Sequence, residues 1–197
     1  LVPTSKEEAQ KLFDNMFNLK QFISGRTIWV GGTNVAKQHP MANFNCSFEI
    51  IEDHNDFVEL LYLLMLGTGV GLRIIKEDVL KIAPVRTNYN IIHEEYTPLK
   101  KKERNEFTNL EFKNNMAFIT VGDSKNGWTD ALKHYFTIIF EPHYSTIDTI
   151  VFNYNSVRPN GEKLKTFGGT ASGHTALKDM FDKINRVIKR HSNSIKA

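Results

Sequence analysis

The sequence predicts an α/β protein, and three observations carry that expectation. Segments of strand character alternate with segments whose apolar residues recur at helical spacing. The first helical segment opens on a capping-box pattern, Ser5-Lys6-Glu7-Glu8. The last sets Leu177, Met180, Phe181, Ile184, Val187 and Ile188 on one stripe before the chain turns polar.

Taken in order, Ala9, Leu12, Phe13, Met16 and Phe17 follow the capping box and predict an amphipathic helix from Lys6 to Leu19. Ser24 to Thr33, with three glycines, reads as turns. Asn45 to Ile51 reads as a strand with alternating faces. Asp53 to Asn55 offer caps for a helix from Phe57 to Leu66, which is apolar on nearly every side and so is expected to be buried. Gly67-Thr68-Gly69-Val70-Gly71 ends that helix and leads into a strand, Leu72 to Ile75. Lys76 to Lys113 is polar, with no periodic pattern, and reads as irregular. Asp123-Ser124 caps a helix from Lys125 to about Phe136, and Thr149 to Tyr154 is a strand.

A chain of 197 residues suits one domain or part of a larger one. Its 41% hydrophobic and 24% charged residues fit a soluble globular protein. No apolar run approaches the roughly 20 residues of a membrane span, and no signal peptide is expected. A net charge of +3 suits an anionic small molecule and implies no nucleic acid. Lys100-Lys101-Lys102-Glu103-Arg104 reads as a solvated loop. One cysteine, Cys46, rules out a disulfide scaffold and points to a reducing cytoplasm. Zinc is not expected, because His93-Glu94-Glu95 has no second histidine spaced to share a helix face.

Two glycine-rich loops invite a ligand. Gly67–Gly71 runs from helix to strand, the reverse of a dinucleotide fingerprint, and lacks the Gly-Lys-Ser/Thr of a phosphate-binding loop. Its residues favour a sharp turn with positive φ. Phe167-Gly168-Gly169-Thr170-Ala171-Ser172-Gly173-His174 opens the last helix, where outward N–H groups and the hydroxyls of Thr170 and Ser172 suit an anion. A plain turn with Ser172 or Thr175 as cap fits equally well. Cys46, in an apolar strand, reads on chemistry alone as inert packing.

In series, five segments resemble the class II, adenosylcobalamin-dependent ribonucleotide reductases. They are Ser24-Gly25-Arg26…Trp29…Gly32-Thr33, then Asn45-Cys46, then Gly67–Gly71. Asp123-Ser124-Lys125-Asn126-Gly127-Trp128 follows, and Val157-Arg158-Pro159-Asn160-Gly161 with Phe167–Gly173 completes the set. The likeness is greatest to enzymes acting on ribonucleoside triphosphates. It implies one domain over residues 1–197, the N-terminal portion of the catalytic core: the first half of a ten-stranded α/β barrel, incomplete in this chain.

The resemblance also implies a chemistry. Cobalamin homolysis generates a cysteine thiyl radical that removes the ribose 3′-hydrogen, and two further cysteines supply two electrons and become a disulfide. Cys46 matches the first of that pair. Two sulfurs must come within disulfide reach, so the second thiol, the radical cysteine and an Asn-x-Glu segment are expected from elsewhere. They would come from a C-terminal remainder, in the same polypeptide or a second one. Asn45, Thr33, Gly67, Gly69 and Gly71 are expected on the ribonucleotide substrate, with Thr170 and Ser172 added on their anion-friendly geometry. Asp53 matches a position that holds a deoxynucleoside triphosphate effector, and an ordinary helix cap is the competing reading. Adenosylcobalamin is expected in the complete enzyme, with no cobalt ligand among these residues. Two other outcomes stand beside this one: a non-catalytic nucleotide-binding or regulatory relative, and an inactive scaffold.

Overall fold

The structure, a computed structural model, describes residues 5–164 and 169–191. Helix α1 (Lys6–Phe17) begins where the capping box puts it, with Ser5 Oγ accepting the Glu8 N–H at 3.1 Å. It stops short of Leu19, which turns to φ 57° and closes the helix through Leu19 N–H to Met16 O and Lys20 N–H to Asn15 O. No α1 residue is buried, and Phe13 and Phe17 stack on each other at 6.1 Å on an open face.

The expectation of turns from Ser24 to Thr33 is corrected. Six residues form helix α2 (Gly25–Val30), because Ser24 caps it by accepting the Thr27 N–H at 3.1 Å. Thr33 then caps α3 (Asn34–Gln38). Local caps outweigh the cost of the glycines, which sit at the ends rather than inside.

Strands β1 (Cys46–Ile50) and β2 (Gly69–Arg73) pair in parallel and are joined by helix α4 (Asp56–Met65). The glycine loop is thus shorter than expected, since Gly69 and Gly71 are strand residues and Ile74 and Ile75 lie beyond the strand. The expected full burial of α4 is also corrected. Only Leu63 within it is buried, and Leu64 is 51% exposed. Its neighbours are the two-stranded sheet and helix α6 (Lys125–Phe140), which leave a third face open.

The stretch expected to be irregular holds a short helix and two strands. Helix α5 (Lys76–Val79) buries Asp78, whose carboxylate takes the Arg73 Nε–H at 2.8 Å. Strands β3 (Asn90–His93) and β4 (Asn109–Lys113) belong to a second sheet with β5 (Met116–Thr120) and β6 (Thr149–Asn153), in the order β3-β6-β5-β4. β6 is parallel to both β3 and β5, and β4–β5 is an antiparallel hairpin. Ile150, Val151 and Phe152 of β6 are all buried, as a central parallel strand requires.

Helix α7 (Thr175–His191) completes this unit. Its expected stripe is partly buried: Leu177 and Phe181 are buried, whereas Val187 is 58% exposed. Phe181 stacks on Phe152 at 4.2 Å, and Tyr135 of α6 meets both rings edge-on at 5.5 and 5.8 Å. α6 and α7 therefore share one core on the sheet. The Tyr135 hydroxyl, deep in that core, is satisfied by Tyr89 at 2.8 Å. The α/β expectation holds. Among the described residues no helix is long and apolar enough to cross a membrane.

Candidate active-site surface at the start of β1

Cys46 is the first residue of β1, exposed and free. Its cross-strand partner is Gly69. Side chains of paired residues in a parallel ladder stand on the same face, so a glycine leaves the space beside the thiol empty. The peptide immediately before Cys46 is held from the β2 side. Gly69 N–H donates to Asn45 O at 2.9 Å, and the buried Thr68 hydroxyl donates to Phe44 O at 3.3 Å.

The turn that delivers Gly69 is a glycine-terminated helix end. Gly67, at φ 77°, donates to Leu64 O, and Thr68 N–H reaches Leu63 O. This is the paired hydrogen-bond pattern that satisfies the last carbonyls of a helix, and it needs a residue tolerant of positive φ. Two further carbonyls are taken by Arg26 of α2: Nη1 donates to Leu66 O at 2.9 Å and Nη2 to Gly67 O at 2.6 Å. The guanidinium also lies 5.6 Å from the Trp29 ring.

The expected site residues thus separate into groups. Asn45, Cys46, Gly67, Gly69 and Gly71 come together on and before the two strands. Thr33 is exposed, and its hydroxyl is engaged at home, donating to Val30 O at 2.6 Å and accepting the Ala36 N–H at 3.4 Å. Thr170 and Ser172 belong to the other part of the fold, in the loop before α7, where Thr170 bridges to Lys163. Both are exposed; Phe167 and Gly168 of the same motif lie outside the described residues.

Of the caps offered by Asp53 to Asn55, the structure does not use Asp53, so the competing reading of it as an ordinary helix cap is corrected. Asn55 occupies that position without a side-chain capping bond. Asp53 Oδ1 instead accepts the Asn55 N–H and its Nδ2–H, both at 2.8 Å, and the backbone N–H bond holds the carboxyl below its ordinary range. Asp56 Oδ2 accepts the N–H groups of Glu52 and Asp53.

A second polar cluster joins two segments that the sequence singled out separately. Asp123 Oδ1 accepts the Arg158 N–H at 3.0 Å and its Nε–H at 2.8 Å, while Arg158 Nη2 donates to Asp123 O. Arg104 adds Nη1 to Glu162 at 2.9 Å and to Asp123 Oδ2 at 3.5 Å. The solvated-loop reading is therefore corrected for Arg104, whose side chain is only 8% exposed; Lys100, Lys101 and Lys102 are exposed as expected. The charge run concealed Arg104, and its partner Glu162 carried no local signal at all. Gly122 and Gly127 let the loop before β4 press on the start of α6, since a Cβ on either would fall 2.4 or 2.7 Å from Glu106 O.

Among the described residues no group of three or more His, Cys, Asp or Glu is placed to hold a metal ion. His39 shares a hydrogen bond with Tyr62 at 2.9 Å, and desolvation, then the nearby Lys125, keeps it below the ordinary histidine range.

These features define an α/β protein with an accessible thiol at a strand start. The family model for the B12-dependent ribonucleotide reductase insertion domain matches residues 85–188, and the ribonucleotide reductase alpha domain matches residues 2–33. The chain belongs to the B12-dependent ribonucleotide reductase family. It is 27% identical over 221 residues to an adenosylcobalamin-dependent ribonucleoside-triphosphate reductase of Lacticaseibacillus paracasei, covering 95% of this chain and 29% of that protein. It is 25% identical over 191 residues to the enzyme of the same description from Euglena gracilis, covering 93% and 22%. A crystal structure of a B12-dependent (class II) ribonucleotide reductase shares the fold, with a TM-score of 0.73 at 22% identity over 93% of this chain and 29% of that one. The chain thus spans less than a third of the length of these relatives.

Proposed function

We propose that this chain is the N-terminal part of an adenosylcobalamin-dependent ribonucleoside-triphosphate reductase and contributes one thiol of its reducing pair. The observation that carries the proposal is Cys46, free and exposed at the start of β1 with Gly69 opposite. In net terms the ribose 2′ C–O bond breaks, a C–H bond replaces it, and the oxygen leaves as water. Two thiols lose two electrons and two protons and end as a disulfide. Cys46 supplies one sulfur; the other comes from the remainder of the enzyme, in the same polypeptide or a partner.

In this reading β1 and β2 are the first strands of the ten-stranded barrel. They are two parallel strands with open edges, which further strands would cover. The unit built on β3 to β6 falls inside the residues matched by the insertion-domain family and is the inserted module carried beside the barrel. Asn45 and the glycines of β2 border the ribose, Thr33 faces phosphate, and Asp53 contributes to the deoxynucleotide effector surface. Thr170 and Ser172 sit on the inserted module and serve a nucleotide anion there. Adenosylcobalamin supplies radical initiation. Among the described residues no converging ligand set surrounds the exposed Cys46, so these residues alone do not form a corrin seat.

The test is Cys46→Ser in the assembled reductase. Multiple turnover with the normal reductant should be abolished, and retained turnover would remove the assigned role.

A further inference from the structure

We infer that Arg26 is a positioning residue for the Cys46 thiol, acting through the backbone of the turn at Leu66–Gly69; this rests on the reading of Cys46 as a reducing thiol. The chain of contacts is continuous. Arg26 donates to Leu66 O and Gly67 O from its two Nη atoms. Those carbonyls belong to the turn whose next two residues grip the chain just before Cys46, through the Thr68 hydroxyl to Phe44 O and Gly69 N–H to Asn45 O. Gly69 is then the strand partner of Cys46 itself.

The guanidinium suits this task because its planar fork meets two carbonyls at once, with less rotamer entropy lost per bond than two separate donors would cost. Arg26 is itself fixed by its place in the first turn of α2, which Ser24 caps. Gly67 is matched to it. A Cβ there would stand 3.3 Å from both Nη atoms, so the residue that permits the positive φ also makes room for the clamp. Disulfide formation demands close sulfur placement, so a register held immediately before the thiol has a chemical use.

A lysine at this position keeps the charge and most of the stem but replaces the fork with one ammonium. The experiment compares wild type, Arg26→Lys and Cys46→Ser in the complete reductase, reading kcat, KM for ribonucleotide, product formed per site without external reductant, and thermal midpoint. Arg26→Lys should lower kcat by about 100-fold with KM changed less than about threefold, because misplacement of a reacting group acts on the step and not on binding. Product per site should fall with it. Wild-type kcat and stoichiometry in Arg26→Lys would overturn the inference. So would a loss that vanishes when each protein is assayed the same interval below its own thermal midpoint, since that is plain destabilisation. If Cys46→Ser turns over repeatedly, the underlying reading of Cys46 fails instead, whatever Arg26→Lys does.

Discussion

Cys46 and Gly69 face each other as the first rung of the parallel β1–β2 ladder, a thiol beside a residue with no side chain. The empty place is a consequence of residue choice and not of packing. A Cβ at Gly69 would meet only Asn45 O, at an ordinary 3.7 Å. Gly67 and Gly69 of the motif are therefore separable by experiment. Gly69→Val should leave stability unchanged or raise it by up to about 1 kcal/mol, since β-branched residues suit strands, while abolishing activity in the assembled enzyme. Gly67→Ala should cost about 1–2 kcal/mol, because it puts a side chain at positive φ. Urea midpoints for the two variants check this. Equal destabilisation would show that Gly69 is needed for the fold.

The Asp123–Arg158 pair ties the start of α6 to the segment after β6 through three hydrogen bonds. Asp123→Ala strips partners from two guanidinium groups, one of which is 8% exposed. A destabilisation of about 2–3 kcal/mol is expected, the scale of a lost bond to a charged group. Chemical denaturation measures it. A cost below about 0.5 kcal/mol would mean that the cluster is replaceable by water.

Burial and neighbouring lysines set a pH dependence. Desolvation holds His39, His134 and His174 below the ordinary histidine range. Each is then neutral when folded at a pH where the unfolded chain has already taken a proton. The unfolded state binds more protons, so stability falls as pH drops below about 6.5. Asp53 and Asp78 are shifted down, by the Asn55 backbone bond and the Arg73 side-chain bond respectively, and their contribution is lost only further into acid, below about pH 4. Asp130 and Glu49, raised by burial, oppose the trend from the ordinary carboxylate range upward, so about pH 6–7, nearest the ordinary histidine range, is the informative window. Thermal midpoints should decline from the top of that window to the bottom, and His134→Gln should flatten the slope. A midpoint that is flat in wild type would contradict the histidine argument.

What was legible in the sequence is what local physics encodes. Ser5 with Glu8, Ser124 before α6 and the stripe of α7 are caps and periods, and each produced the expected helix. Helices α2 and α3 escape the reading although their caps, Ser24 and Thr33, are local, because the flanking glycines mask them; the other failures came where tertiary context decides. Strands β3 and β4 are short edge strands with mixed polarity, and their pairing with β6 and β5 cannot be read from their own residues. Helix α4 reads as a core helix from its composition, yet only its faces toward the two-stranded sheet and α6 are covered, a division its own residues do not announce. At the site, Cys46, Asn45 and the glycines were legible as a motif. The role of Arg26 is not legible in that motif, because its partners are carbonyls 40 and 41 positions away and carbonyls leave no trace in a sequence. Arg104 is concealed by the charge run around it, and its carboxylate partner Glu162 lies 58 positions away.

The most direct test of the central claim is the oxidation state of Cys46 after a single turnover. The complete reductase is allowed one round on ribonucleoside triphosphate without external reductant, its free thiols are alkylated, and its peptides are mapped by mass spectrometry. The expected result is Cys46 in a disulfide with a cysteine outside these 197 residues, in proportion to the deoxynucleotide formed. Product formed while Cys46 remains a free, fully alkylated thiol would contradict it.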